Sequence, residues 1–207
     1  EIASCLVGSE MCIRDSYDRV YMSKVFAFTP DDLRVIQADE VVKGGSGYKM
    51  YDQTLPNEIE HICPDYSLYP MYNDAYGFLT RGCVNRCNFC IVPRKEGFIR
   101  GNADITEFLS GRQSATLMDN NVIASDWGLN QIEKIISLNV KVDFNQGLDC
   151  RIIAKDKNIA HLLSHVKWKR FLRMAYDNSA ITDEVTTAIA YLKEAGIPSY
   201  KLFFYML

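Results

Sequence analysis

Between residues 75 and 207, short apolar runs at 75–80, 115–118, 140–144, 171–175 and 201–207 alternate with stretches of helical character, and this leaves few folds open. In 129–138, Leu129, Ile132, Ile135 and Ile136 recur at the spacing that puts them on one helical face. The pattern of 182–195 stops at Gly196 and Pro198, residues that end helices. Consecutive parallel strands need a helical crossover, so strand–helix repeats joined by short turns predict an α/β fold with a parallel sheet or barrel. Ligands in such folds bind at the carboxyl ends of the strands.

Upstream, residues 19–28 and 38–48 each carry a β-branched or aromatic run and read as two late strands of a small α/β domain over 17–54. The second run breaks at the GGSG of residues 44–47. That stretch lacks the Gly-Lys-Ser/Thr ending of a phosphate loop and predicts a tight turn. Residues 55–74, rich in Pro and Tyr without steady periodicity, read as an ordered linker to a larger domain over 75–207. The chain is expected to stop within or just after its fifth core strand.

Residues 1–16, EIASCLVGSEMCIRDS, have neither helical nor strand periodicity and no signal-peptide layout. They resemble translated sequencing-adapter DNA, so the native sequence is expected to begin mid-protein at about Tyr17. Removing Arg14 from the 23 basic residues and Glu1, Glu10 and Asp15 from the 26 acidic ones takes the net charge from −3 to −1. Neither value gives an electrostatic footprint for nucleic acid, and the locally basic stretch 165–173 reads as a solvated helix end ahead of a strand. No apolar run approaches the ~18 residues that span a bilayer.

Without Cys5 and Cys12, the cysteines are Cys63, Cys83, Cys87, Cys90 and Cys150. An odd number cannot all pair within the chain, and three of them share one loop, so a reducing cytoplasmic setting and metal binding are expected. That loop has the spacing C-x3-C-x2-C and follows the first core strand. Structural zinc takes four protein ligands in a closed tetrahedron, whereas three cysteines on an iron-sulfur cubane leave one iron able to take an external ligand. Three readings stay open at this point: such a cluster, zinc completed by Cys63 or His61, or unligated thiols.

The stretch Cys83-Val84-Asn85-Arg86-Cys87-Asn88-Phe89-Cys90, with an aromatic residue before the last cysteine, resembles the signature of the radical S-adenosylmethionine superfamily. Residues 117–121 (LMDNN) and the segment 45–70 resemble regions of the branch linked to cobalamin-binding domains. The resemblance implies a partial parallel barrel of the six-unit (βα) type, preceded by the remnant of a Rossmann-like domain. It implies a 4Fe-4S cluster on Cys83, Cys87 and Cys90, S-adenosylmethionine as cosubstrate, cobalamin in a longer chain, and an electron donor such as flavodoxin or ferredoxin.

The resemblance points to Phe89 at the adenine; by their places at strand ends, Asp119, Asn120 and Asn121 after the second strand, Gln146 after the third and Asp177 after the fourth are further candidates for cofactor contacts, the Asp and Asn residues reading equally as strand-to-helix turns. Asp149 and Arg151 are further candidates at the barrel mouth. Cys150 reads as a buried thiol, and Arg81 and Arg86 add positive charge beside the cluster. The rival reading is a non-catalytic iron-sulfur or zinc module serving structure or electron transfer. The substrate is not legible.

Overall fold

The computed structural model describes residues 17–31, 33 and 35–206, so the adapter-like residues 1–16 lie outside the described residues. The chain divides into two units that meet between Tyr72 and Asn73. In the first, β1 (Tyr17–Ser23) and β2 (Ala38–Gly44) pair in parallel, from Tyr17 opposite Ala38 to Ser23 opposite Gly44. The first strand stops at Ser23 rather than at Phe28. The GGSG stretch forms the expected turn, with Gly45 at φ 97°. The linker residues contain one short helix, α1 (Asn57–Glu60), and a single helical turn, Tyr66–Leu68, capped by the Asp65 carboxylate.

The second unit holds the repeating series. Its elements in order are β3 (Ala75–Gly77), β4 (Thr80–Arg81), α2 (Val92–Lys95), β5 (Arg100–Gly101), α3 (Ile105–Leu109), β6 (Ser114–Leu117), α4 (Asp126–Ser137) and β7 (Lys141–Phe144). There follow α5 (Cys150–Lys155), α6 (Lys157–Ser164), β8 (Lys167–Trp168), β9 (Leu172–Tyr176), α7 (Thr182–Glu194) and β10 (Leu202–Met206). β3, β6, β7 and β8 pair in parallel in that order, and β9 pairs in parallel with β10. A parallel bridge from Leu148 to Met174 carries the line of β7 onto β9. The strands therefore follow one another without reversal, and right-handed crossovers place the helices on one side of such a sheet.

The pleat sorts the side chains accordingly. Ala75, Ala115, Leu117, Val142, Phe144, Leu172 and Met174 are buried, and together with Phe108, Ile132, Ile135, Ile153, Leu163, Ala188 and Leu192 of the helices they make up the core. The alternate positions are polar. Asp74 takes bonds from Ser114 and Lys169, and Arg173 bonds both oxygens of the buried Asp143 at 2.7 and 2.8 Å. No helix among the described residues is long and apolar enough to cross a membrane.

The first core strand is shorter than its apolar run. Leu79 and Thr80 leave the ladder because the Asp119 carboxylate, at the end of β6, takes both of their N–H groups, at 3.3 and 2.5 Å. Thr80 and Arg81 then pair antiparallel with Gly101 and Arg100, so that the cysteine loop emerges from a two-stranded base.

The turn that carries Asp119, Asn120 and Asn121 continues as a helical turn, Val122–Ala124, which seats on α4 at Gly128. A Cβ there would run into the Val122 carbonyl. In an open helix Gly→Ala stabilises by about 1 kcal/mol. Here Gly128→Ala is expected to destabilise the unit by roughly 2–4 kcal/mol, measured as a lowered urea midpoint.

Candidate functional site

The residues from 82 to 98 depend on glycine geometry and on polar ties more than on packing. Gly82 has φ 80°, and a Cβ on it would stand 2.7 Å from the Gly97 carbonyl and closer still to that of Phe98, so only glycine admits this approach. Cys83 N–H bonds the Gly97 carbonyl at 3.2 Å, and Cys90 N–H closes a turn onto the Cys87 carbonyl at 3.0 Å. Cys83 and Cys87 are half-buried, Cys90 is exposed, and all are free thiols.

Polar residues from successive strand ends meet this loop. After β6, Asp119 is 1% exposed and also accepts from Thr80 Oγ1 at 2.7 Å. Asn120 donates to Glu96 Oε2 at 2.9 Å, the oxygen that also accepts Gly82 N–H at 2.9 Å. Asn121 is buried. Its amide nitrogen lies 4.0 Å from Cys83 Sγ and 3.5 Å from Asp149 Oδ2, while its Oδ1 has no hydrogen-bond partner.

After β7, Asp149 caps α5 through the Arg151 N–H and accepts Asn85 Nδ2 at 2.8 Å, which ties the middle of the Cys83–Cys87 spacing to the third strand end. The Arg151 guanidinium grips both Asp149 oxygens at 2.8 Å. Burial pushes the Asp149 carboxyl up, but the Arg151 and Asn85 bonds outweigh it and hold the group below its ordinary value. After β9, Asp177 stands close enough for its charge to act on Cys87.

Of the residues the sequence singles out, Asp119, Asn120 and Asn121 thus tie to the cysteine loop and its base, with Asp149 and Arg151, while Asp177 acts on Cys87 only through its charge. Gln146 is exposed in the turn that Gly147 N–H closes onto Phe144, and Phe89 is 64% exposed. Cys150 is buried, with its thiol pushed up to about 11 by burial and by Asp149. Arg81 lies over the Phe78 ring and pairs with Glu96 at 3.9 Å. Sequence reasoning passed over Asn85 and Glu96. Their signals were present: a polar residue between two cysteines, and a lone acid in a basic stretch.

Among the described residues, no three His, Cys, Asp or Glu side chains stand together as a ready ligand set. The donor chemistry nevertheless fits a metal or cluster. Burial, and then the charge of Cys90, push the Cys87 thiol up, so a cation bound there would have to offset that penalty for the thiolate to form. Asn85 N–H at 3.4 Å and the Asn121 amide on Cys83 Sγ supply the N–H donors that metal-bound thiolates accept. A cavity of about 330 Å³ lies beside Cys83, lined by Arg86, Pro93, Arg94, Gly97 and Phe98.

Burial pushes the Asp119 carboxyl up to about 6, more than offsetting the bonds from Thr80 and Leu79. In the unfolded chain this group titrates near 4, so between about pH 4 and the folded value of about 6 the native state binds the extra proton. Stability from this group is greatest below that window and declines as pH rises through it. Asp119→Asn abolishes the titration and turns an NH2 toward the Leu79 N–H, at a cost of roughly 1–3 kcal/mol. Urea unfolding is expected to show the wild-type advantage shrinking from about pH 4 to about pH 6.

No protein-family model matches this chain, and a search of curated proteins returns no match.

Proposed function

We propose that this chain belongs to a radical S-adenosylmethionine enzyme, with β3, β6, β7, β9 and β10 as successive strands of a partial barrel and Cys83, Cys87 and Cys90 as the protein ligands of a 4Fe-4S cluster. One observation carries the reading. The three thiols occupy the loop that leaves the first strand of a parallel series, and the second and third strand ends each send polar side chains to that same loop. A purely structural zinc site has no use for that convergence, since four ligands would complete it.

When bound, such a cluster supplies the electron that splits S-adenosylmethionine into methionine and a 5'-deoxyadenosyl radical, which takes a hydrogen atom from the substrate. The chain's own residues bind and orient. Asn85 N–H and the Asn121 amide draw charge off Cys83, a means of raising a cluster's potential, and the Arg151 charge acts on Cys87 in the same sense. Asn121 Oδ1, buried without a partner, is an acceptor held ready for an ammonium or hydroxyl of the cosubstrate. Asp149 fixes the Cys83–Cys87 spacing through Asn85.

Anaerobic reconstitution is expected to give about four iron and four sulfide per chain, and replacing Cys83, Cys87 or Cys90 by Ala to abolish them. Cys63→Ala and Cys150→Ala are expected to keep both. Added S-adenosylmethionine is expected to shift the paramagnetic spectrum of the reduced cluster by occupying the open iron. A chain that takes up zinc alone, or a cluster spectrum indifferent to S-adenosylmethionine, would establish the non-catalytic module instead.

A further inference from the structure

Helix α6 ends on two histidines. His161 lies in its last turn and His165 is the residue that caps it. They stand four residues apart, the spacing that puts two imidazoles on one face of a helix, and both are exposed. Their ring centres are 4.8 Å apart. An imidazole nitrogen binds a metal at about 2.0–2.1 Å, which puts the ring centre roughly 3.2 Å from the ion. Two rings at the observed separation therefore subtend about 100° at a shared ion, between the square and the tetrahedral angle. His165 is also held in a ligand's tautomer. Its Nδ1 lies 2.9 Å from the His161 carbonyl, which can only accept, so in the neutral ring Nδ1 carries the proton and the lone pair stands on Nε2. Metal-binding histidines are oriented by this kind of bond from the second nitrogen to a carbonyl. The ring nitrogens of His161 have no hydrogen-bond partner among the described residues. The negative end of the helix dipole lies here, and the basic neighbours are turned to other groups: Lys157 to Glu194, Lys169 to Asp74, and Arg170 over the Phe171 ring. Lys167 is exposed, where salt screens its charge.

We propose that His161 and His165 form a chelating site for a divalent transition-metal ion of the zinc and copper class, separate from the cysteine loop. Imidazole suits these ions, whereas Mg2+ and Ca2+ take oxygen ligands. Parallel strands require the chain to run back between them, so the C-terminus of α6, which leads into β8, lies at the amino ends of the strands. The cysteine loop departs from the opposite, carboxyl end of β3. An ion on α6 therefore serves neither the proposed cluster nor its cosubstrate, and the site stands whether or not a cluster forms. Two protein ligands leave the remaining positions to water. Such a site exchanges its ion readily and keeps positions open to an outside ligand, in contrast to a closed structural zinc.

The test follows the ring nitrogens of the histidines by NMR while zinc chloride is added to the full chain, its exposed thiols first blocked with iodoacetamide, at a pH of about 7.5 that keeps imidazole neutral. The His161 and His165 signals are expected to move together, at a midpoint at least about tenfold below that of His61, because the second imidazole of a chelate binds at high effective concentration. Nδ1 of His165 is expected to keep its proton while Nε2 shifts. In His161→Asn the His165 midpoint is expected to rise at least about tenfold. An unchanged far-ultraviolet circular dichroism spectrum checks that the variant is folded, and His165→Asn, read at His161, makes the same comparison from the other ring. Midpoints that do not change in either variant, or a His61 response at the same zinc concentration as the pair, overturn the site and leave ordinary surface imidazoles. Magnesium that moves the pair as zinc does also overturns it, since an ion with no liking for imidazole would then be reporting charge alone.

Discussion

The Asp119 carboxylate determines where the first core strand ends and how the chain departs from it. A carboxylate buried without a cation beside it persists only if hydrogen bonds satisfy it, and here Leu79 N–H, Thr80 N–H and Thr80 Oγ1 do so. Those N–H groups are therefore unavailable to a neighbouring strand, and the chain must leave the sheet after Gly77. The next two residues on the same turn extend the effect, Asn120 to Glu96 and Asn121 toward Cys83 and Asp149. Three consecutive side chains thus hold the near base, the far flank and the first cysteine of one loop.

Because the ties are polar, order and exposure coexist in this loop. Phe89, Cys90, Ile91 and Phe98 are exposed, so little apolar burial holds the segment down. What holds it is the bonding of Glu96, Asn85 and Asp149 to groups on other elements. The core is organised in the opposite way, with its helix-facing layer fully apolar. A surface loop of this kind opens at lower free energy than the sheet beneath it.

The sequence made the strand–helix rhythm legible because helix-facing positions such as Leu117, Phe144 and Met174 have no alternative to apolar residues. It also exposed α7, whose end Gly196 marks at φ 95°. The end of β3 was illegible. Leu79 is as buried as any strand residue, and periodicity cannot tell a ladder hydrogen bond from one made to a carboxylate 40 residues away. The tandem helices α5 and α6 went unread for a related reason. Asp149 and Asp156 each cap a helix, but the second cap interrupts what would otherwise have been one longer periodic stretch. At the site, the Asp and Asn residues after each strand were visible, but the direction in which a turn aims its side chain is not written in residue types, which is why Gln146 and Asn121 looked alike. In the first unit no described residue is buried, so hydrophobic pattern had little to report there.

The short pairing of β4 with β5 has a consequence for the order of events during maturation. Closing a loop such as 82–99 costs about 2.5 kcal/mol plus a constant in chain entropy. The hairpin base and Asp119 meet that cost during folding. A ligand reaching the cysteines thus finds its attachment points already on one closed loop, unlike a zinc finger, whose metal must fold the chain around itself. Folding of this loop therefore does not wait on a ligand, and any binding at its cysteines would follow the fold rather than create it.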